Sequence, residues 1–314
     1  MQLQSKNVKI KNQEISIVQL LDIADVKSGL GTGDNNYYLY KESDAIGSYR
    51  IVNHEKVLTE DELQQIVKNE EIRIKIINDG IPDNMFEGRT VIPTDKGGES
   101  DIGEGRLSNY YAPTKYYIDY SKKNVNRLRN FTIADRKRFY DEKNISKNDE
   151  KTLAAVIRNP TYYFKPGITF SDVGLYAPTY RINSSSVFDH RGNCIFIKST
   201  CHSFFSNEFL LGIICSKFIK YIQKNFINNT VGFQVDDVKK IPVIVCDKRQ
   251  KTKIEKLVQD IIKKQKLDLS YNYQKNEQNE IDNIVYETYG LDKCLIDEVE
   301  NWYSRKYPKL VLNN

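Results

Sequence analysis

Three stretches of this 314-residue chain carry residue types and spacings that could do chemistry. Gly29-Leu-Gly31-Thr-Gly33-Asp-Asn35 packs three glycines into five residues, which lets a backbone approach a ligand where a side chain would intrude. The dinucleotide fingerprint needs Gly or Ala where Asp34 stands, and no Gly-Lys-Ser/Thr follows to make a phosphate-binding P-loop. Two readings stay open: a tight hairpin-like turn, or a substrate-facing loop whose N–H groups, Thr32 and Asn35 meet a phosphate or base. Pro82-Asp83 with Asp141-Glu-Lys143 has the outline of a metal-dependent nuclease. Its halves lie 58 residues apart, however, and the second falls in a basic stretch where D-x-K arises readily by chance. From Lys115 to Lys151 eleven Lys or Arg face six Asp or Glu, a local +5 that equals the surplus of the whole chain, interleaved with Tyr116, Tyr117, Tyr120, Phe131, Phe139 and Tyr140. Cations that neutralise phosphates beside flat rings suit nucleic-acid binding, although such a segment can also be a solvated face.

Composition narrows the classes. The chain has 47 Lys and Arg against 42 Asp and Glu, net +5, so a polyanionic partner is allowed without being demanded. No apolar run approaches a membrane span, and the N-terminus lacks a signal pattern. Five cysteines without a C-x-x-C pair argue against a disulfide framework and a zinc knuckle, and three histidines supply no H-E-x-x-H site. A cytoplasmic location in reducing conditions is expected.

The elements that must position these residues follow from periodicity. Residues 1–14 read as a polar lead-in. A short helix or turn feeds a strand at 24–28, and Tyr37 to Tyr40 resumes as strand after the glycines. Residues 60–77 read as a helix giving way to a strand, and 93–109 as a long surface loop. Short strands are expected at 155–157, 162–164, 168–170 and 194–197. An amphipathic helix over 209–226 follows, with Asn207 as N-cap, then a strand around 238–245 in which Pro242 implies an edge or a strand start. Helical spacing recurs at Ile254, Leu257, Val258, Ile261 and Ile262, at Ile281 to Tyr289 before Gly290, and from Leu295 to Tyr303. The expected fold class is α+β: a lead-in over 1–14, a mixed α/β body over 15–246 and a helical spacer or tail over 247–314.

Asn159-Pro160-Thr161-Tyr162 is similar to the N-P-P-Y/F loop of amino-methyltransferases, which grips a flipped base, but it lacks the second proline and no glycine cofactor loop stands upstream. A different resemblance absorbs it. Val26-Lys-Ser-Gly-Leu-Gly-Thr-Gly-Asp-Asn35 resembles the opening G-x-x-T-G-x-N motif of the TaqI-like C-terminal specificity domain, found in adenine methyltransferases, fused restriction-modification enzymes and the PglX methyltransferase of BREX phage defence. Lys96-Gly-Gly98, Asn159 to Ser171, Asn207 to Ser216 and Gly232 to Pro242 are similar, in order, to later landmarks of that family. The aromatic-rich loop that follows Gly98 in the family is here the acidic, glycine-rich Glu99 to Gly105.

The resemblance implies a target recognition domain that directs an N6-adenine methyltransferase on double-stranded DNA and is not catalytic alone. It implies a partner: an adenine-specific methyltransferase subunit or a missing N-terminal domain, with S-adenosylmethionine expected there and no cofactor, metal or catalytic residue in this chain. The Lys-rich helix 251–266 is similar to the spacer helix by which restriction specificity subunits dock on partners. Lys96, Arg127, Arg129, Arg136, Arg138 and Lys165 are the expected phosphate contacts. Thr32, Asn35, Arg158, Tyr162, Thr169, Arg181 and Gln234 are expected in groove-facing or positioning roles, with hydrogen-bond holding in the core as the alternative for Gln234 and Tyr162. The competing class is a DNA-cleaving restriction enzyme, or another enzyme, that carries this module.

Overall fold

The structure is a computed structural model that describes residues 5–10, 13–97, 107–130, 155–172 and 178–308. It is an α+β fold with a helical C-terminal region, and the described residues form three sheets. The first sheet orders β1 (Lys6–Ile10), β2 (Gln13–Gln19) and the late strand β12 (Pro242–Ile244), all antiparallel. Pro242 opens β12 at the sheet edge, where its missing N–H removes no ladder bond. Residues 6–10 of the polar lead-in are thus strand, because β1 pairs residue by residue with β2.

The second sheet runs β3 (Ala24–Lys27), β11 (Cys194–Ile197), β8 (Ile168–Phe170) and β9 (Tyr180–Ile182), again antiparallel. Its register sets Lys27, Cys194, Thr169 and Arg181 side by side in one row. The third sheet joins β10 (Val187–Phe188), β6 (Val91–Asp95), β7 (Tyr116–Asp119), β4 (Leu39–Lys41) and β5 (Arg50–Ile51). Strand β11 links the two main cores by its period of two. Ile195 joins the core under the first and second sheets, while Cys194 and Phe196 join the core of the third sheet with Tyr163, Phe164 and Phe188.

Loops from the second and third sheets meet by backbone contact. Leu30 N donates to Phe188 O at 2.8 Å, His190 N to Leu30 O at 3.1 Å and Asp189 N to Asp95 O at 2.8 Å. There is no room for a methyl group at two of these crossings. A Cβ on Gly29 would fall 1.9 Å from Phe188 O, and one on Gly192 would fall 2.0 Å from Asp95 O.

Several helices differ from the sequence expectation, each for a local reason. Asp34 accepts from Tyr37 N and starts the helix Asn35–Tyr38 (α2, after α1 at Leu20–Ile23), so only Leu39–Lys41 remains strand. The alternating Ile72, Ile74 and Ile76 imitate a strand. Instead Thr59 and Asn69 cap two successive helices, Glu60–Lys68 (α3) and Glu70–Asp79 (α4), with Thr59 and Glu62 forming a reciprocal capping box. Residues 160–162 form a 3₁₀ turn and Val156 a single bridge, where strands were expected. The expected helix over 209–226 is divided. Ser206, one residue before the expected Asn207, caps Asn207–Cys215 (α6, after α5 at Lys122–Arg129), and Ser216 caps Lys217–Ile222 (α7). Part of the expected surface loop is also inside, since β6 reaches Asp95 and Leu107 to Asn109 are buried.

Of the helices after residue 246, the first two share the first core, and the third packs Trp302 and Tyr303 with Leu107 and Tyr307 in a separate cluster. In chain order these helices are Lys248–Leu267 (α9, after the short α8 at Val235–Val238), Glu277–Thr288 (α10) and Lys293–Lys306 (α11). Ile254, Val258 and Ile261 of α9 and Ile281 and Val285 of α10 pack in one cluster with Leu210, Ile214 and Val243. Polar bonds add to this: Tyr110 exchanges backbone bonds with Tyr180 and Ile182 and donates its hydroxyl to Gln278 Oε1 at 2.7 Å. Gln278 in turn donates to Asp282, which also accepts from Lys217 N. Asp282 is 1 % exposed, and burial, opposed by nearby Lys217, pushes its pKa up to about 6.

Two outcomes are expected. Gly29→Ala or Gly192→Ala forces backbone apart and destabilises by roughly 1 to 3 kcal/mol or more, read from urea midpoints; unchanged midpoints contradict the packing. Because the folded pKa of Asp282 lies above its unfolded value near 3.9, the group favours the folded state below about pH 4, and this contribution is lost as pH rises through about 6. The stability of wild type relative to Asp282→Asn should fall on the order of 2 kcal/mol between pH 4 and pH 7, whereas a pH-independent difference contradicts the burial.

Candidate nucleic-acid interface

The glycine loop is built as a junction. Gly31 and Val156 exchange N–H···O bonds at 3.0 and 2.7 Å, and Asn159, held in the left-handed region at φ 47°, donates its amide to Ser28 O at 2.8 Å. The N–H groups of Leu30 and Gly31 are thus committed to Phe188 and Val156 carbonyls, and they do not face a phosphate. Thr32 is buried and donates its hydroxyl to Asn35 Oδ1 at 2.5 Å. Those two side chains therefore fix the loop, and Thr32 is not a groove-facing tip.

Cations gather on this junction. The Arg127 guanidinium from α5 stacks 3.8 Å from the Tyr37 ring centre and lies 3.9 Å from Asp34 Oδ2. Arg158 is exposed, and its Nη1 lies beside Gly31, 3.8 Å from where a Cβ would stand. Tyr162 bears Lys27 and Lys165 ammonium groups 5.0 and 5.3 Å from its ring centre, packs on Phe196 and donates its hydroxyl to Asp25 at 2.8 Å. Burial and the Asp25 bond push the Tyr162 hydroxyl up to about 12. Burial, then repulsion from Arg73, lowers the pKa of Lys165. Arg73 itself is buried and donates to Thr161 O at 3.1 Å, holding the 159–162 turn from beneath. Each cation is held over a ring or against a turn, which limits the rotamer freedom it loses on meeting a ligand.

The fold thus brings Thr32, Asn35, Arg127, Arg158, Tyr162 and Lys165 together and disperses the others. Lys96 sits at the end of β6, over the rings of Tyr49 and Tyr116 at 4.1 and 5.2 Å, with its ammonium bonded to the Tyr49 hydroxyl. Arg129 donates to Ile77 O and Asn78 at the C-terminus of α4, a helix-capping position. Gln234 is exposed at the start of α8, its N–H bonded to Asp237. Thr169 and Arg181 are inside, contrary to the groove-facing expectation. Thr169 is fully buried in the central row of the second sheet, and its hydroxyl is directed at the Gly192 and Asn193 carbonyls. Arg181 is 6 % exposed and donates to Gly97 O. Burial lowers its pKa and raises that of nearby Asp95, whose carboxylate accepts from Ser184 N and Oγ. Arg136 and Arg138, with most of the basic aromatic segment, lie outside the described residues, as do Asp141 and Lys143. Asp83 lies in an exposed turn.

Lys27 was missed by sequence reasoning. Its signal was available, since it ends the strand that enters the glycine loop. Arg73 had none, because its neighbours in sequence imitate a strand. No protein-family model matches this chain, and no curated protein matches it.

Arg181→Ala should behave as a stability variant, losing on the order of 3 kcal/mol because Asp95 and the Gly97 carbonyl stay buried without their cation. A thermal midpoint equal to wild type would contradict this placement.

Proposed function

We propose that the chain is a target recognition module for double-stranded DNA, directing an N6-adenine methyltransferase of a restriction-modification or BREX-type defence system. The observation that carries the reading is convergence. Segments 26–35 and 159–171, which resemble landmarks of the TaqI-like specificity domain, are more than a hundred residues apart in the chain, yet they meet through the Ser28–Asn159 bond and through Lys27 over the Tyr162 ring. The meeting place carries Arg127, Arg158, Lys27 and Lys165 on aromatic or turn supports. Phosphate contacts from such cations fix a module on the duplex, and neighbouring groups that reach base edges give it sequence preference.

Methyl transfer is assigned to a partner, either a separate adenine-specific subunit or a domain of the same longer protein, which would hold S-adenosylmethionine. The sequence of this chain carries no glycine cofactor loop. A cytoplasmic location accords with this role, and no helix among the described residues is long and apolar enough to cross a membrane.

The test is salt titration of duplex binding by Arg158→Glu with Lys165→Glu. The wild-type affinity should fall steeply with salt, and the double variant should bind more weakly with a slope shallower by roughly 2, about 0.9 per lost phosphate contact. A folded double variant with the wild-type slope would contradict the proposal.

A further inference from the structure

The 20-residue helix α9 buries Ile254, Val258, Ile261 and Gln265 against the body. At about 100° per residue, Lys248, Arg249, Lys253, Lys256, Lys263 and Lys266 fall on the opposite side within an arc of roughly 140°, and all six are exposed. That arc contains one carboxylate, Asp260, and one apolar residue, Leu267. The helix's ion pairs draw on Lys251, Lys253 and Lys264, through Glu255, Glu280 and Glu277. Among the described residues Lys248, Arg249, Lys256 and Lys263 have no acidic partner within ion-pair distance. Lys248, Arg249, Lys253 and Lys256 line one surface depression together with Thr252.

We infer that this stripe is a second phosphate-backbone contact for duplex DNA, separate from the glycine junction; the inference rests on the reading of DNA as the partner. Lys248 to Lys266 extends about 27 Å at 1.5 Å per residue, and duplex DNA presents roughly one phosphate per 1.7 Å of axis. A stripe of that length therefore runs beside many phosphates at once. A protein-docking face is built around aromatic, Met and Arg anchors and is poor in Lys. Here Lys dominates and Leu267 is the lone apolar side chain, so the face matches a hydrated polyanion better than a protein groove. The start of the helix also lies away from the junction. Val245 N bonds Ser16 O, so α9 begins at the end of β2 remote from the chain that leads through α1 and β3 into the glycine loop.

Arg249→Glu, Lys256→Glu and Lys263→Glu, combined, alter exposed positions only, and circular dichroism checks the fold. Binding of the full chain to an arbitrary-sequence duplex should weaken roughly tenfold or more at low salt, with the salt slope shallower by about 2 to 3. Wild-type affinity and slope in the triple variant overturn the inference. The Arg158→Glu, Lys165→Glu variant measured in parallel separates the two claims. If it alone loses DNA, the helix inference falls and the proposed function stands; if the helix variant alone loses DNA, the helix contact stands and the junction reading falls. A triple variant that binds duplex normally but no longer binds polyglutamate assigns the stripe to an acidic protein surface and likewise overturns the inference.

Discussion

Backbone crossing backbone without an intervening side chain is the constraint on which this structure depends. Phe188 O sits where a Gly29 Cβ would be, and Asp95 O where a Gly192 Cβ would be. These contacts lock three loops from two sheets into one junction, and strand β11 sends alternate side chains into the two cores on either side. Such a junction is rigid because moving any loop breaks inter-loop backbone bonds and the packing of buried aromatic residues together. Loops supported in this way can carry binding residues with little ordering cost.

The same junction determines what its polar residues do. Side chains that point inward become scaffold: Thr32 holds Asn35, Arg181 holds the Gly97 carbonyl, and Asp95 holds the Ser184 turn. Cations that point outward rest on rings, with Arg127 over Tyr37, Lys27 and Lys165 over Tyr162, and Lys96 over Tyr49 and Tyr116. The tyrosines interleaved with basic residues thus act in part as supports for charge. Whether a polar residue reads as surface or interior depends on its register in the sheet, as the row from Lys27 through Cys194 and Thr169 to Arg181 illustrates.

That dependence explains how much was legible in the sequence. The α+β class, the C-terminal helices, the edge position of Pro242 and the strands at 24–28, 168–170 and 194–197 follow from local periodicity and match the structure. Capping chemistry overrode periodicity at Thr59, Asn69, Ser206 and Ser216, dividing one expected helix and turning an expected strand into a second one. At the candidate site the basic and aromatic types were legible, but partners far away in sequence were not. Thr169 and Arg181 flank polar turns and look exposed until β8 and β9 are paired, and Arg73 reaches Thr161 across 88 residues.

The central claim is that the wild-type chain prefers one DNA sequence. Selection of bound fragments from a randomised duplex pool at near-physiological salt, followed by sequencing, tests it most directly. The account predicts that one short consensus is enriched over successive rounds. Retained fragments with no shared sequence would contradict it and would make the cationic junction a sequence-blind contact.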